Sequence, residues 1–330
     1  MLRAGFSLIL LGMIMGAVPP ATAQRARTEP KSEGPTFLDP KEAGPDFVIQ
    51  GEYATEATAA HKLGVQIAAL GDGKFQVVVL PGGLPGDGWD GKGRVELNAA
   101  RDGATAKIPA ANGYEGSIAD GSLSLKGADG TVSLKKVERK SPRAGAKPPQ
   151  GATVLFDGSN ADAWQGGEID KRGLLASGSK TKKLYQDFTL HVEYLLPFKP
   201  LARDQERGNS GIYMQDRYEV QVLDSFAEAP RFNGCGAIYR QHAPKLNMCY
   251  PPLQWQTYDI EFHAAKFDAD GKKTKGAVVT VNHNGVIVQD HYEITAKTGA
   301  GAKEGPTPGA IQLQGHNNPV FYRKVWVIAK

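Results

Sequence analysis

The sequence predicts an all-β protein, with a two-sheet sandwich of jelly-roll type in the C-terminal half and a smaller β domain before it. Three observations carry this. The 330 residues include 40 glycines and 21 prolines, a density of punctuation that suits short strands joined by turns. Runs in which apolar and polar residues alternate recur along most of the chain. No stretch has convincing helical periodicity, and the length leaves room for two domains, each with a core.

In chain order, residues 1–23 read as a signal peptide. Arg3 precedes an apolar run from Phe6 to Val18, followed by Pro19, Pro20 and the small triplet Ala21-Thr22-Ala23, with cleavage expected after Ala23. The run is shorter than the roughly 20 residues of a membrane helix, and no second long apolar stretch follows. A soluble protein without an integral membrane segment is expected, in the periplasm or secreted. The absence of cysteine near the cleavage site removes a lipid anchor. Residues 24–45 are polar and rich in Pro, Glu, Lys and Arg, and read as a mobile lead-in without chemistry.

Residues 46–138 read as a small β domain. Val65–Leu70 and Phe75–Leu80 form a hairpin across Gly71-Asp72-Gly73, and the Gly-rich stretch 81–91 is a loop pinned by Trp89. Further strands are expected near Gly93–Asn98, Gly116–Ile118, Ser122–Leu125 and Thr131–Val137. Residues 139–150, the end of the run KKVERKSPRAGAKPPQ, read as a Pro/Lys-rich linker. Its cations suit either a solvated tether or contact with an anionic surface.

Residues 151–330 carry the sandwich. Strands are expected at Thr189–Leu196, Gly211–Gln215, Tyr218–Leu223, Tyr258–His263, Ala277–His283, Gly285–Gln289, Ala310–Gln314 and Phe321–Ile328, with Asn284-Gly285 supplying a hairpin turn. The net charge of +4 is modest and not gathered into one tract, which argues against nucleic acid as a partner. Cys235 and Cys249 are expected to pair as a disulfide in an oxidising compartment, against the alternative of two buried thiols. Two sulfurs without a His pair at zinc-finger spacing do not make a structural zinc set.

Side chains alternate between the faces of a strand. Tyr218, Val220 and Val222 therefore oppose Glu219, Gln221 and Leu223. In the same way Leu190, Val192 and Tyr194 oppose His191, Glu193 and Leu195, and Ile311 and Leu313 oppose Gln312, Gln314 and His316. If these strands share a sheet, one face collects Glu193, Glu219, Gln221, Gln312, Gln314 and His316. Long amides and carboxylates pair well with sugar hydroxyls. Tyr239, Trp255 and Tyr213 are candidate stacking surfaces, and an ordinary solvated face is the bland alternative.

The motifs Gly208-Asn209-Ser210-Gly211-Ile212-Tyr213, Tyr218 to Ser225 (YEVQVLDS) and Ile311 to His316 (IQLQGH) resemble the 3-keto-disaccharide hydrolase family. Val154-Leu155-Phe156-Asp157-Gly158, Trp164 and Trp255 to Ile260 match as well, so the resemblance covers about 151–328. The N-terminal β domain resembles an extension of some planctomycete members. The resemblance implies a concanavalin A-like sandwich that hydrolyses glycosides oxidised at carbon 3. Carried over by position, Glu219 would be the base or a metal ligand, and Asn209 and Gln221 would hold hydroxyls. Gln312, Gln314 and His316 would polarise the ketone or assist departure. Glu193 with Glu219 would supply the two carboxylates of an ordinary glycosidase. No cofactor is demanded, although a divalent cation held by Glu219, Glu193 or His316 would serve as Lewis acid. A non-catalytic, lectin-like carbohydrate-binding protein and a structural envelope protein are the other readings.

Overall fold

The computed structural model describes residues 34–330 apart from Ala57, Ala60 and His61. The expected signal peptide lies outside the described residues. Among the described residues, no helix is long and apolar enough to cross a membrane.

Eight antiparallel strands of the N-terminal half close into a barrel. Their order is Gly51–Ala54, Gly130–Val137, Ser122–Gly127, Tyr114–Ala119, Thr105–Ala111, Val95–Asp102, Lys74–Pro81 and Leu63–Gly71, which returns to the first. Closure removes the unpaired edges that an open sheet of this size would present. The hairpin forms as expected, with Asp72 and Gly73 at φ 53° and 70° in its turn. Strands Gly51–Ala54 and Thr105–Ala111 escaped the sequence reading because Glu52 and Pro109 break the apolar alternation. Glu52 is buried and takes both Nε (2.7 Å) and an Nη (2.6 Å) of Arg139, together with the Gln66 amide.

The second half is a sandwich. One sheet runs Thr153–Phe156, Phe321–Ala329, Phe188–Leu195, Trp255–His263, Ala277–His283, Val286–Ile294, with Leu175–Ala176 as a seventh strand beside Phe321–Ala329. The other runs Trp164–Gln165, Ser179–Thr181, Gln312–Leu313, Ser210–Met214, Tyr218–Val222. Asn284 and Gly285, at φ 51° and 90°, turn the predicted hairpin. Phe188, Leu190, Val192, Ile212, Val220, Val222, Ile260 and Leu313 fill the space between the sheets.

Barrel and sandwich share their cores. Ala68, Val78 and Leu80, on the outside of the barrel, are buried in the sandwich cluster, and Phe198 of the sandwich half joins the barrel cluster. Burying Val78 and Leu80 there contributes roughly 2 kcal/mol each. Around this apolar contact, Arg207 donates to Ala69 O (3.0 Å), Arg203 to Leu70 O (2.6 Å) and Arg94 to Ala227 O (2.7 Å).

Two connecting segments differ from expectation. The lead-in is tied down from Phe37, which exchanges backbone hydrogen bonds with Phe198, and residues Gly44–Ile49 form a short helix opened by Pro45. Residues 139–145 lie across the protein as a strap. Arg139 holds Glu52 and Pro85 O, Ser141 Oγ meets Thr257 Oγ1 at 2.6 Å, Arg143 pairs with Asp259, and Gly145 N donates to Glu193 Oε1 at 2.5 Å. Polar composition predicts solvation only when buried partners are absent, and here Glu52 and Glu193 supply them.

The cysteines are a correction. Cys235 and Cys249 are free thiols, both buried. Their surroundings explain how that is tolerated: Cys235 Sγ meets Tyr258 Oη at 3.1 Å and Tyr194 Oη at 3.4 Å, and Cys249 Sγ donates to Leu223 O at 3.4 Å. Native protein should leave both thiols unreactive toward an aromatic disulfide reagent, with two titrating per chain after unfolding; a chain that shows none when unfolded without reductant would restore the disulfide. Arg139→Ala should lower stability by about 3 kcal/mol, because Glu52 is left buried without its ion pair. A thermal melt checks this, and Arg139→Lys should recover only part of the loss, since an ammonium cannot reproduce the bidentate contact.

Candidate active site

The short strand Tyr218–Val222 serves both faces of its sheet. Tyr218, Val220 and Val222 enter the core, so Glu219 and Gln221 stand on the outer face. Tyr213 is the direct cross-strand partner of Glu219, and Gly211 that of Gln221. On the far side, residues 236–239 extend the pairing: Tyr239 N donates to Glu219 O at 3.1 Å and Gln221 N to Ala237 O at 2.9 Å.

Glu219 is buried although it is a carboxylate on an outer face. Its side chain lies over Gly211, where a Cβ would stand 2.2 Å from Oε1. Tyr213 Oη donates to Oε2 at 2.7 Å. The amide of Gln221 reaches Oε1 at 3.0 Å in the orientation that also satisfies Ser210 O. The backbone N of Glu219 donates to Thr298 Oγ1 at 2.8 Å, and Gly299 approaches both Oε2 and the Tyr239 ring. Burial raises the Glu219 carboxyl to about 7, opposed only by the Tyr213 hydrogen bond. Tyr213 is itself pushed upward, first by burial and then by the adjacent carboxylate.

One ladder of cross-strand partners runs across the sheet from Glu219 through Tyr213, Gln312 and Lys180 to Gln165. At about 4.8 Å per strand, Lys180 stands roughly 14 Å from Glu219. Gln314 lies beside this row: its N donates to Gly211 O, its Nε2 to Tyr213 Oη at 3.5 Å, and its Oε1 is buried without a partner. Asn209 is buried, with Nδ2 donating to Gln205 O at 2.9 Å, and so it helps to hold the Gln205 loop. His316 is exposed at the end of the same segment.

Glu193 does not join this group. It belongs to the seven-stranded sheet, on the face turned away from the core, where Arg323 donates to Oε2 at 2.7 Å and the strap covers Oε1. His191 shares that face, stacked on Trp326 and bonded to Asp259 at 2.8 Å. Burial acts against the charged ring, but Asp259 and Glu193 outweigh it and hold the imidazole above its ordinary value. Trp255 is there too, with the Arg323 guanidinium 3.8 Å from its ring centre. The condition that all the predicted polar residues share a sheet therefore fails for Glu193, and the two-carboxylate pairing fails with it. Tyr213 is committed to Glu219, which leaves Tyr239, half-buried, as the stacking candidate on the right face. Among the described residues, no group of three His, Cys, Asp or Glu side chains could hold a metal ion.

A cavity of about 850 Å³ opens elsewhere, on the barrel between the strands that diverge after Ala100 and Lys107. Its walls are mainly apolar, with Lys74, Lys107 and Glu115 at the margin, and it lacks the convergent polar groups gathered around Glu219.

The model of the 3-keto-alpha-glucoside-1,2-lyase-like domain matches residues 151–328, more than half of the chain. The protein belongs to this family. The chain is also similar to the crystal structure of a candidate glycosyl hydrolase from Parabacteroides distasonis, at 33% identity and a TM-score of 0.51, over 55% of this chain and 85% of that one. A second Parabacteroides distasonis structure of the same description aligns at 18% identity and a TM-score of 0.39, over 55% of this chain and 94% of that one. A search of curated proteins found no match. Within the lyase-like domain, sequence reasoning missed Gln205, in the single 3-10 turn Asp204–Glu206, Thr298 and Gly299, in an irregular segment without periodicity, and Lys180, whose three-residue strand is too short to show alternation.

Gly211→Ala should displace the Glu219 carboxylate and lower glycoside turnover at least tenfold. Circular dichroism should stay unchanged, because the added methyl faces outward. Full activity in that variant would remove Gly211 and Glu219 from the site.

Proposed function

We propose that this protein cleaves glycosides of sugars oxidised at carbon 3, with Glu219 as the base that starts an elimination. The observation that carries the reading is the Glu219 carboxylate, buried on the outer face of the five-stranded sheet, raised to about 7 and approached by neutral donors. A ketone at carbon 3 acidifies the hydrogen at carbon 2. Glu219 takes that proton, the carbon 1 to carbon 2 double bond forms, and the bond from carbon 1 to the leaving oxygen breaks. The leaving oxygen recovers a proton, and water adding across the double bond completes hydrolysis. A base with a pKa near the working pH combines a useful ionised fraction with sufficient strength.

An ordinary glycosidase needs a second carboxylate about 5 to 10 Å away. Glu193, the partner expected for that route, is held on the other sheet by Arg323 and the strap. The family match and the similarity to a candidate glycosyl hydrolase support action on a glycosidic bond. Tyr213 and Gln221 fix the orientation of the carboxylate, and Gln312 and Gln314 offer amides to hydroxyls or to the ketone.

Turnover of a chromogenic 3-keto-glucoside should far exceed that of its unoxidised parent and vanish in Glu219→Gln. Equal cleavage of both compounds would point to an oxocarbenium route, and glycan binding without turnover would make the protein a lectin. The pH profile of kcat/KM should rise through about 7, since the base must be ionised. Stability should move the other way. The folded protein keeps a proton on Glu219 between about 4.5 and 7 that the unfolded chain releases, so this group costs stability as pH rises through that window. Glu219→Gln should therefore melt higher than wild type at pH 8 and close to it at pH 5.

A further inference from the structure

Beyond Glu219 the outer face changes character. On one side lies the polar row of Tyr213, Gln312, Lys180 and Gln165. On the other lie Tyr239 and the loop that carries Phe232. Seven large hydrophobic side chains are exposed among the described residues, and Phe232, 53% exposed, is the only aromatic one. A lone exposed apolar residue is ordinary in itself. The position of this one is not.

Two short hydrogen-bonded paths hold the Phe232 loop, one leading to Glu219 and the other to Asn209. Phe232 O accepts from Arg240 N at 2.8 Å, and the neighbouring Tyr239 N donates to Glu219 O. On the other side, Asn233 O accepts from Gln205 Nε2 at 3.1 Å, and Gln205 O accepts from Asn209 Nδ2 at 2.9 Å. Arg231, the preceding residue, is fastened to Asp204 at 2.9 Å and Glu228 at 2.5 Å. The backbone that carries the ring is thus held in place from both flanks.

We propose that Phe232, together with Tyr239, is the platform for the leaving group, and that the site prefers 3-keto-glycosides whose leaving group is a ring with a flat apolar face. This rests on the elimination reading above. The polar row suits the hydroxyl-rich oxidised ring, which presents donors and acceptors on every edge. A departing phenol or sugar ring presents instead an apolar face that an aromatic on a fixed backbone can cover at a small ordering cost on binding. Phe232 is a specificity-determining residue in this arrangement and takes no part in proton transfer.

The test compares methyl, phenyl and glucosyl 3-keto-α-glucosides as substrates of wild type, Phe232→Ala and Phe232→Trp. Phe232→Ala should raise KM for the phenyl and glucosyl substrates by about fivefold to tenfold, the scale of one lost ring contact. The KM for the methyl substrate should move less than twofold, and Phe232→Trp should restore the ring substrates. A uniform change across all three substrates, or no change in any, overturns the proposal while the elimination chemistry stands. Absence of turnover by wild type on all three overturns the elimination reading instead.

Discussion

The contact between the Glu219 carboxylate and the backbone of Gly211 constrains the whole outer face of the five-stranded sheet. A charged side chain can lie flat against a sheet where the neighbouring strand has no Cβ in the way, and Gly211 provides that gap. Lying flat takes the carboxylate out of water, which raises its proton affinity and demands donors. Tyr213 is placed to answer by direct pairing and Gln221 by standing two residues further along the same face. From behind, Tyr258 Oη donates to Gln221 O at 2.9 Å, so a core tyrosine fixes the strand that presents Glu219.

That core support belongs to a polar knot enclosed by apolar packing. Tyr194 Oη meets His283 Nε2 at 2.7 Å, and Gln256 Oε1 accepts from Tyr250 N at 2.9 Å. Burial lowers the His283 pKa to about 3, so the ring stays neutral and works as a hydrogen-bonding spacer between sheet and loops. The two thiols fit the same environment as small, weakly polar fillers, and the geometry around them is already satisfied by tyrosine hydroxyls.

Period-two alternation made much of this legible beforehand. It separates Glu219 and Gln221 from Tyr218, Val220 and Val222, and Gln312 from Ile311 and Leu313, and the structure keeps those divisions. It treats Glu193 in the same way and is equally right that Glu193 faces away from the core. What alternation cannot say is which sheet a strand joins. Glu193 and Glu219 therefore looked like neighbours, although the packed core separates them. The loops around the site were illegible for another reason. Thr298, Gly299 and Gln205 act through single hydrogen bonds and one close approach, neither of which leaves a repeating signature. The strap was misread because composition reports average solvation, whereas its course is decided by a few buried carboxylates.

The strap also separates two boundaries that usually coincide. The family match begins at residue 151, yet the lyase-like domain draws Ala68, Val78 and Leu80 into its core from the barrel and has Glu193 sealed by Gly145. A chain cut at the family boundary would expose an apolar face on one side and an unsatisfied carboxylate oxygen on the other. The unit that recurs across relatives is, in this molecule, smaller than the unit that folds. Transplanting the catalytic half into another architecture would require a substitute for the barrel as much as for the substrate site.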